Sequence, residues 1–272
     1  MRPLLHRGLP VVGRDTEGTM PKGIYAAASA MVAETRLLET TARNIAHAQT
    51  PGYRREGLLR VGFAEVLANQ GRSGGVKGDG GTGVLPDGSY FTFTDGVRDP
   101  TGASFDLALQ GDGFFAVQDP AGKTWLTRSG NFQLDGQGRL ATREGQLVMG
   151  QGGPITIPED AGKVVIDESG LVTTETRTSE GVVRSTIDQL RLVTVAAPRS
   201  MTPANGVSFD PAGQSLVDAA PAVFQGHLER GNVNPIDELV QMVALQRRHD
   251  AAQKAITEQS RAGEGYSDVL RG

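Results

Sequence analysis

The sequence contains no cysteine, few aromatic residues and no long apolar run, and each absence excludes a class of protein. Without cysteine, the 272-residue chain can form neither disulfides nor sulfur-based zinc sites. No segment reaches the roughly 18 apolar residues that predict a membrane-spanning helix. The 27 basic and 31 acidic residues give a net charge of −4 and form no long basic block. Nucleic acid is therefore not an expected partner.

Turn-forming residues are abundant instead. The 37 glycines and 14 prolines predict many turns. Between them lie short runs such as YFTFT (90–94) and FFAVQ (114–118), which are typical of strands. Asp135-Gly136 separates two alternating segments and predicts a hairpin with a primed turn, which requires positive φ. We therefore expect a mainly β central domain over residues 85–225.

Two segments outside this domain have helical periodicity. The first repeats an apolar residue every seven positions, with a small residue four positions after each of the first three: Ile24, Met31, Leu38 and Ile45, then Ala28, Thr35 and Ala42. The second begins at the N-cap Asn234 and Pro235 and has apolar positions at spacings of three and four. These positions are Met242, Leu245, His249, Ala252 and Ile256. Because each stripe is too narrow to stabilise a lone helix, we expect the N- and C-terminal helices to pair into a coiled-coil-like axial segment.

The composition divides the chain into five regions. We expect a disordered leader or misassigned start over 1–19, with Met20 as a plausible first residue, because the leader lacks the ~7–15-residue apolar core of a secretory signal. An N-terminal helix and connecting arm follow over 20–67. Residues 68–84 form a glycine-rich loop. The β domain (85–225) and a C-terminal helix (226–272), packing with the N-terminal helix, complete the chain.

Motifs that resemble catalytic or binding sites fail in context. Gly78, Gly80 and Gly83 match G-x-G-x-x-G, but no strand precedes and no helix follows them. The match to G-x-S-x-G around Ser73 lacks the same flanking elements. The four histidines show no metal-ligand spacing, and His249 lies on an apolar helical stripe, where a packed or interface histidine is expected. We predict no catalytic residue, no cofactor and no metal, and hence no enzyme.

Three collinear motifs together resemble one family. They are MPKGIYAAASAMVAETRLLETTARNIAHAQTPGYRR (20–55), LALQGDGFFAVQDPAGKTWLTRSGNFQLDGQGRLATREGQLVMG (107–150) and GHLERGNVNPIDELVQMVALQRRHDAAQKAI (226–256). They resemble the bacterial flagellar rod and hook proteins, the axial proteins of the basal body. The matching positions in the first motif are Asn44, Ala46, Ala48, Thr50, Pro51, Gly52 and Tyr53. Arg43 and His47 depart from the family pattern, in which asparagine is common.

The resemblance implies a structural rod subunit that is exported through the flagellar type III apparatus. Its terminal segments would be largely disordered in the free subunit and would order when subunits stack into the periplasm-spanning rod. The partners would be copies of itself and other rod proteins, with no integral membrane segment. The predicted subunit-interface residues are Ile24, Met31, Leu38, Asn44, Ile45, Met242, Leu245, His249, Ala252 and Ile256. At Thr50-Pro51-Gly52 the chain would leave the helix, with Arg54 and Arg55 facing solvent or a neighbouring subunit.

Several alternatives remain open. We favour a member of the proximal rod on the modest length and the segment ALQRRHDAAQKAI (244–256). A distal-rod or hook-type axial protein is the first alternative. A peptidoglycan-cutting rod accessory enzyme would need a catalytic carboxylate that we do not find. A β-domain adhesin would tolerate deletion of both helices.

Overall fold

A computed structural model describes residues 22–62, 84–178, 181–204 and 206–269. Two α-helices are present in these ranges, α1 (Lys22–His47) and α2 (Pro235–Val269), together with one short 3-10 helix at Pro198–Ser200. The strands are β1 (Glu56–Gly62), β2 (Val84–Phe91), β3 (Arg98–Pro100), β4 (Leu107–Gln110), β5 (Phe114–Gln118), β6 (Thr124–Thr127), β7 (Gln133–Leu134), β8 (Leu140–Ala141), β9 (Leu147–Val148), β10 (Lys163–Ile166), β11 (Leu171–Thr178), β12 (Gly181–Gln189), β13 (Leu192–Thr194), β14 (Thr202–Pro203), β15 (Ser208–Asp210), β16 (Val217–Asp218), β17 (Ala222–Gln225) and β18 (His227–Glu229). The glycine matches at 71–83 lie outside the described residues.

The chain divides into two compact units. The larger contains residues 34–60 and 86–249, and therefore nearly all strands, the end of α1 and the beginning of α2. The smaller contains, of the described residues, 22–33, 61–62, 84–85 and 250–269. All contacts discussed below lie within the larger unit.

A nine-stranded sheet forms the centre of the larger unit. Its main path runs β14-β15-β6-β5-β9-β8-β7, β13 joins it beside β5, and β16 pairs with β13. The central strand β5 is buried on both faces, because alternate side chains of FFAVQ enter two different apolar clusters. Phe115 and Val117 belong to the larger cluster, which also includes Leu107 and Val172. Phe114 and Ala116 belong to the second cluster on the other face.

Four smaller sheets surround this one. They are the pairs β1-β2, β17-β4 and β18-β3, and the three-stranded sheet β10-β11-β12. Through β17 and β18, the chain returns late in the sequence to pair antiparallel with β4 and β3. This return places the start of α2 beside the early part of the β structure.

The predicted hairpin at Asp135-Gly136 is confirmed, since β7 and β8 pair antiparallel. Its turn differs from the predicted primed type. Positive φ occurs at Gly138 (74°) rather than at Asp135 or Gly136. The Asp135 carboxylate accepts the backbone N–H groups of Gln137 and Arg139 at 2.8 and 2.9 Å. Through these bonds the aspartate supports a longer turn.

The predicted coiled-coil-like pairing of the two helices is wrong. The chain is mainly β with two helices, and no coiled-coil pairing is seen between them in the described residues. A coiled coil needs apolar side chains at successive a and d positions. The buried positions of α1 instead include Thr40, Thr41 and Asn44, and those of α2 include Glu238. Thr40 donates to the carbonyl of Arg36 within α1, Asn44 binds the backbone of Glu56 in the connecting arm, and Glu238 pairs with Arg55.

Candidate functional site

Both helices are attached to the β structure at one place, which we call the terminal junction. It comprises residues 44–56, 92–96, 128–129 and 229–241, and thus parts of both terminal motifs from the sequence. Within it lies the break after α1 that Thr50-Pro51-Gly52 predicts. Because the junction fixes where each helix leaves the β structure, we take it as the candidate functional site.

Gly52 places the chain directly against the β structure after α1 ends. Its φ is 70°, a left-handed conformation that glycine adopts without strain. Its N–H donates to the carbonyl of Glu229 at 2.8 Å. A Cβ at this position would overlap the backbone of Arg128 and Ser129. Glycine is therefore required both for the turn and for the close approach.

Asn44 ties the last turns of α1 to the arm that leaves it. Its amide donates to the carbonyl of Glu56 at 2.9 Å, and its side-chain oxygen accepts the Glu56 N–H at 3.0 Å. The same oxygen accepts the buried hydroxyl of Tyr53 at 3.1 Å. Burial, followed by the charge of Glu56, raises the pKa of Tyr53 to about 12, so the phenol remains a donor at neutral pH. The His47 ring stacks on Tyr53 at 5.0 Å between centroids.

A buried ion cluster lies beneath this turn. Arg54 and Glu229 have fully buried side chains and pair at 2.8 Å. Arg54 also donates to the carbonyl of Thr94 at 2.8 Å, and Glu229 accepts the N–H of Gly96 at 2.7 Å. Arg128 approaches the second oxygen of Glu229 at 3.4 Å. Burial lowers the pKa of Arg54, and the neighbouring Glu229 opposes this effect.

The expectation that Arg54 faces solvent or a neighbouring subunit is wrong, because its guanidinium group neutralises Glu229 inside the subunit. Arg55 remains about one-third exposed, with 33% of its side-chain surface accessible. It reaches α2 and pairs with the buried Glu238 at 2.5 Å. The two consecutive arginines thus bind the C-terminal segment at two successive points.

Asn232 holds the segment that leads into α2. Its side-chain oxygen accepts the N–H of Arg55 at 2.7 Å, while its amide donates to the carbonyl of Thr92 at 2.7 Å. Two residues later, Asn234 accepts the N–H of Ile236 at 3.1 Å, which confirms the predicted N-cap of α2. The start of α2 is therefore fixed in position and direction by side chains from both terminal motifs.

The predicted interface residues occupy different environments. On α1, Met31, Leu38 and Ile45 are partly buried, Asn44 is buried, and the side chain of Ile24 falls outside the described part. On α2, Leu245 is buried, while Met242, His249, Ala252 and Ile256 are partly buried. The most buried stripe of α1 contains Leu37 and Asn44, one residue and hence about 100° away from Leu38 and Ile45.

Sequence reasoning missed Glu229, Arg128 and Asn232 as members of the site. Arg54 and Glu229 are 175 positions apart, and no local pattern indicates that they pair. The one available signal is Asn232 in the Asn-Val-Asn-Pro segment, since asparagine is common where side chains must bind backbone groups.

No described helix is long and apolar enough to cross a membrane. In the same ranges, no group of three or more histidine or acidic residues could hold a metal ion. Most polar groups of the junction are engaged with one another and with backbone, which suits a structural role. The Nε atoms of Arg54 and Arg128 and one carboxylate oxygen of Glu238 are buried without a hydrogen-bond partner in the described residues. Fold and site together define a β protein in which two helices join the β structure at a single junction.

Comparison with known proteins agrees with this class. The family model for the "Flagellar hook protein FlgE/F/G D1 domain" matches residues 108–174. The family model for the "Flagellar basal body rod FlgEFG protein C-terminal" matches residues 225–261. The FlgF rod protein of Caulobacter vibrioides is 33% identical over 86% of this chain and 92% of its own. The FlgG rod protein of the same bacterium is 28% identical over 87% and 94%, and the FlgF protein of Salmonella typhimurium 28% over 88% and 94%.

The chain belongs to the family of flagellar basal-body rod proteins. It is a structural, non-enzymatic protein of the flagellar basal body. The C-terminal family match begins just before β18 and includes Glu229, Asn232 and Glu238. The segment 229–241 of the terminal junction is thus part of the family's own C-terminal region.

Proposed function

We propose that this rod subunit assembles with copies of itself and with other flagellar rod proteins through its terminal helices. The observation that supports this proposal is the terminal junction, which fixes both helices to the β structure at one point. A subunit that transmits torque needs such a fixed attachment, because a loosely tethered helix would let the β structure rotate separately from its neighbours. The assembled helices would then join the subunits into part of the drive shaft.

The residues proposed for subunit contact are those named from the sequence. Met31, Leu38 and Ile45 on α1 are partly exposed and so remain accessible to a neighbour. On α2 the partly buried His249 and Ile256 are accessible in the same way. Asn44 and Leu245 would act indirectly, by holding each helix in the orientation that presents those side chains.

Two finer assignments belong to the same proposal. Export through the flagellar type III apparatus would deliver the chain to the growing rod. A position in the proximal rod is favoured by the modest length and by the sequence ALQRRHDAAQKAI (244–256). Relatives named FlgF match at 28–33% identity and those named FlgG at 28–29%.

Substitution of Leu38 by aspartate tests the assembly role. A charge placed in a buried helix contact costs several kcal/mol, so we expect Leu38→Asp to block incorporation into basal bodies. The melting temperature of the free subunit should change little, because Leu38 is only partly buried there. Gln133→Asp, on the exposed strand β7, adds the same charge away from the helices and is the matched control.

The measurement is mass spectrometry of purified basal bodies from a strain that expresses only the variant. Normal incorporation of Leu38→Asp would contradict the proposed contact. Absence of the wild-type chain from basal bodies would contradict assembly itself. A strain with an inactive flagellar export apparatus should retain the protein inside the cell, and appearance of the protein outside would contradict the export assignment.

A further inference from the structure

The first turns of α2 carry an apolar stripe on the side opposite to the junction. Ile236, Leu239, Val240 and Val243 follow the i, i+3, i+4, i+7 spacing of one helix face and are 48–71% exposed. The buried Glu238 and Leu245 lie on the other side of the helix. None of these four residues is among the apolar positions that the sequence predicted for this helix. The stripe is therefore a second apolar face of α2, which this subunit leaves uncovered.

Three residues of the stripe, Leu239, Val240 and Val243, line an open depression of about 530 Å³ together with Ala244 and Arg247. Arg247 is its one charged residue, is exposed, and makes no ion pair with any described residue. A surface that combines a shallow apolar depression with a single unpaired cation fits a partner that presents small side chains around a single anion.

The outward face of α1 has this complementary character. Thr35, Ala42 and Ala46 are small and exposed, and the partly buried Leu38 borders them. Glu39 lies among them, exposed and without an ion pair to any described residue. Of the two arginines that flank it on the helix, Arg43 is paired with Glu56 and Arg36 is exposed. From 35 to 46 and from 236 to 247 both faces extend over eleven residue steps, or about 16 Å of helix.

We propose that the α2 stripe of one subunit docks on the outward face of α1 of a second copy, with Arg247 of the first opposite Glu39 of the second. The inference rests on the proposed assembly role and names the surfaces that would meet. Because two different surfaces are joined, each copy retains one unused stripe and one unused α1 face. Such a heterologous contact repeats from copy to copy, as a ring or as an open helical array, rather than closing as a two-fold dimer.

The size of the stripe agrees with contact between copies only inside an assembly. Four side chains at these exposures present on the order of 400 Å² of surface, whereas a stable interface buries about 800 Å² on each partner. One such contact cannot hold two free subunits together. It becomes effective where neighbouring contacts in the rod already hold the copies close, since this raises the effective concentration.

Charge reversal tests the pairing in a strain that expresses only the variant protein. Arg247→Glu and Glu39→Arg should each reduce the number of copies per basal body about ten-fold or more, because like charges then meet at the contact. The double variant Arg247→Glu with Glu39→Arg restores opposite charges between copies and should recover most of the incorporation. Arg248→Glu, an exposed change on the same helix but off the stripe, is the matched control and should behave as wild type.

The outcomes separate this inference from the proposed function. If the wild-type chain is present in basal bodies but neither single reversal reduces incorporation, the docking surface is refuted and the rod role stands. If both single variants lose incorporation and the double variant loses it equally, Arg247 and Glu39 do not meet between copies and the proposed occupant is refuted. If wild type itself is absent, the rod role fails.

The lack of cysteine allows a direct second measurement. A chain with Ala42→Cys and Val240→Cys, treated with a bis-maleimide cross-linker in isolated basal bodies, should give a ladder of dimers and larger oligomers. The pair Ala42→Cys and Arg248→Cys places the second thiol off the stripe and should give few such products. Equal ladders from both pairs, no ladder from the first, or linkage to a different rod protein alone would overturn the proposal.

Discussion

Removal of the charge on Glu229 should destabilise the terminal junction more than any other single charge removal in it. Glu229→Gln keeps an oxygen that can accept the N–H of Gly96, so the substitution tests the charge and leaves this hydrogen bond possible. It also leaves the buried guanidinium groups of Arg54 and Arg128 without the carboxylate that lies between them. We therefore expect the Arg54 guanidinium to remain buried without the negative charge that neutralises it.

The magnitude follows from the burial of the pair. Both Arg54 and Glu229 have 0% of their side-chain surface exposed, so solvent screens their interaction little. Breaking a buried pair by removing one partner costs about 3–5 kcal/mol, mostly through the uncompensated charge that remains. Single domains are stable by about 5–15 kcal/mol, so this loss is large enough to appear in any unfolding curve.

Urea unfolding followed by fluorescence of Trp125, the one tryptophan, measures the change. Hydrogen exchange at the amides of Gly52 and Gly96, both bonded to Glu229, reports on the junction itself. Arg230→Gln is a control from the next position, because Arg230 forms a solvent-exposed pair with Asp99 and its loss should have little effect. Equal stability losses for Glu229→Gln and Arg230→Gln would refute the reasoning from burial.

Two further substitutions test the turns. Gly52→Ala should lower the melting temperature by more than Gly102→Ala. Both glycines have positive φ, so alanine at either position costs about 1–2 kcal/mol of backbone strain. Only at Gly52 would the new Cβ also overlap the backbone, at Ser129. A similar loss at both positions would contradict the close approach. A hydrogen bond from the Arg139 N–H lowers the pKa of Asp135 in the folded protein. The ionised Asp135 carboxylate therefore stabilises the folded state fully above its unfolded pKa of about 3.9, and this contribution is lost as pH falls through the lower folded pKa. Melting temperature should therefore fall less steeply with acid in Asp135→Asn than in wild type, and parallel curves would exclude this contribution.

The features predicted correctly from the sequence are those set by neighbouring residues. Asn234 and Pro235 mark the start of α2 because a cap acts over three or four positions. The hairpin at Asp135-Gly136 is likewise local, although its turn type depends on the positive φ of Gly138. Family membership was accessible because three collinear motifs are more specific than any one of them.

The features missed depend on tertiary contacts. The heptad through Leu38 and Ile45 suggested the buried face of α1, yet Leu37 and Asn44 are more deeply buried. The spacing of apolar residues cannot indicate that Asn44 is buried because its side chain hydrogen-bonds to backbone groups of the connecting arm. In the same way, Arg54 looks like a surface residue until Glu229, far along the chain, supplies its counter-charge.

The separation of Arg54 and Glu229 also determines the order in which the subunit can fold. Their pairing closes a loop of 175 positions, whereas β5, β6 and β9 find their partners within a few tens of residues. Contacts of such long sequence separation form late, because the entropy of loop closure must be compensated first. During synthesis from the N-terminus, the sheet can therefore form around β5 before the acidic partner of Arg54 exists. The attachment of α2 and the pairing of Arg54 with Glu229 are a last step, and a chain truncated before residue 229 would lack the means to complete it.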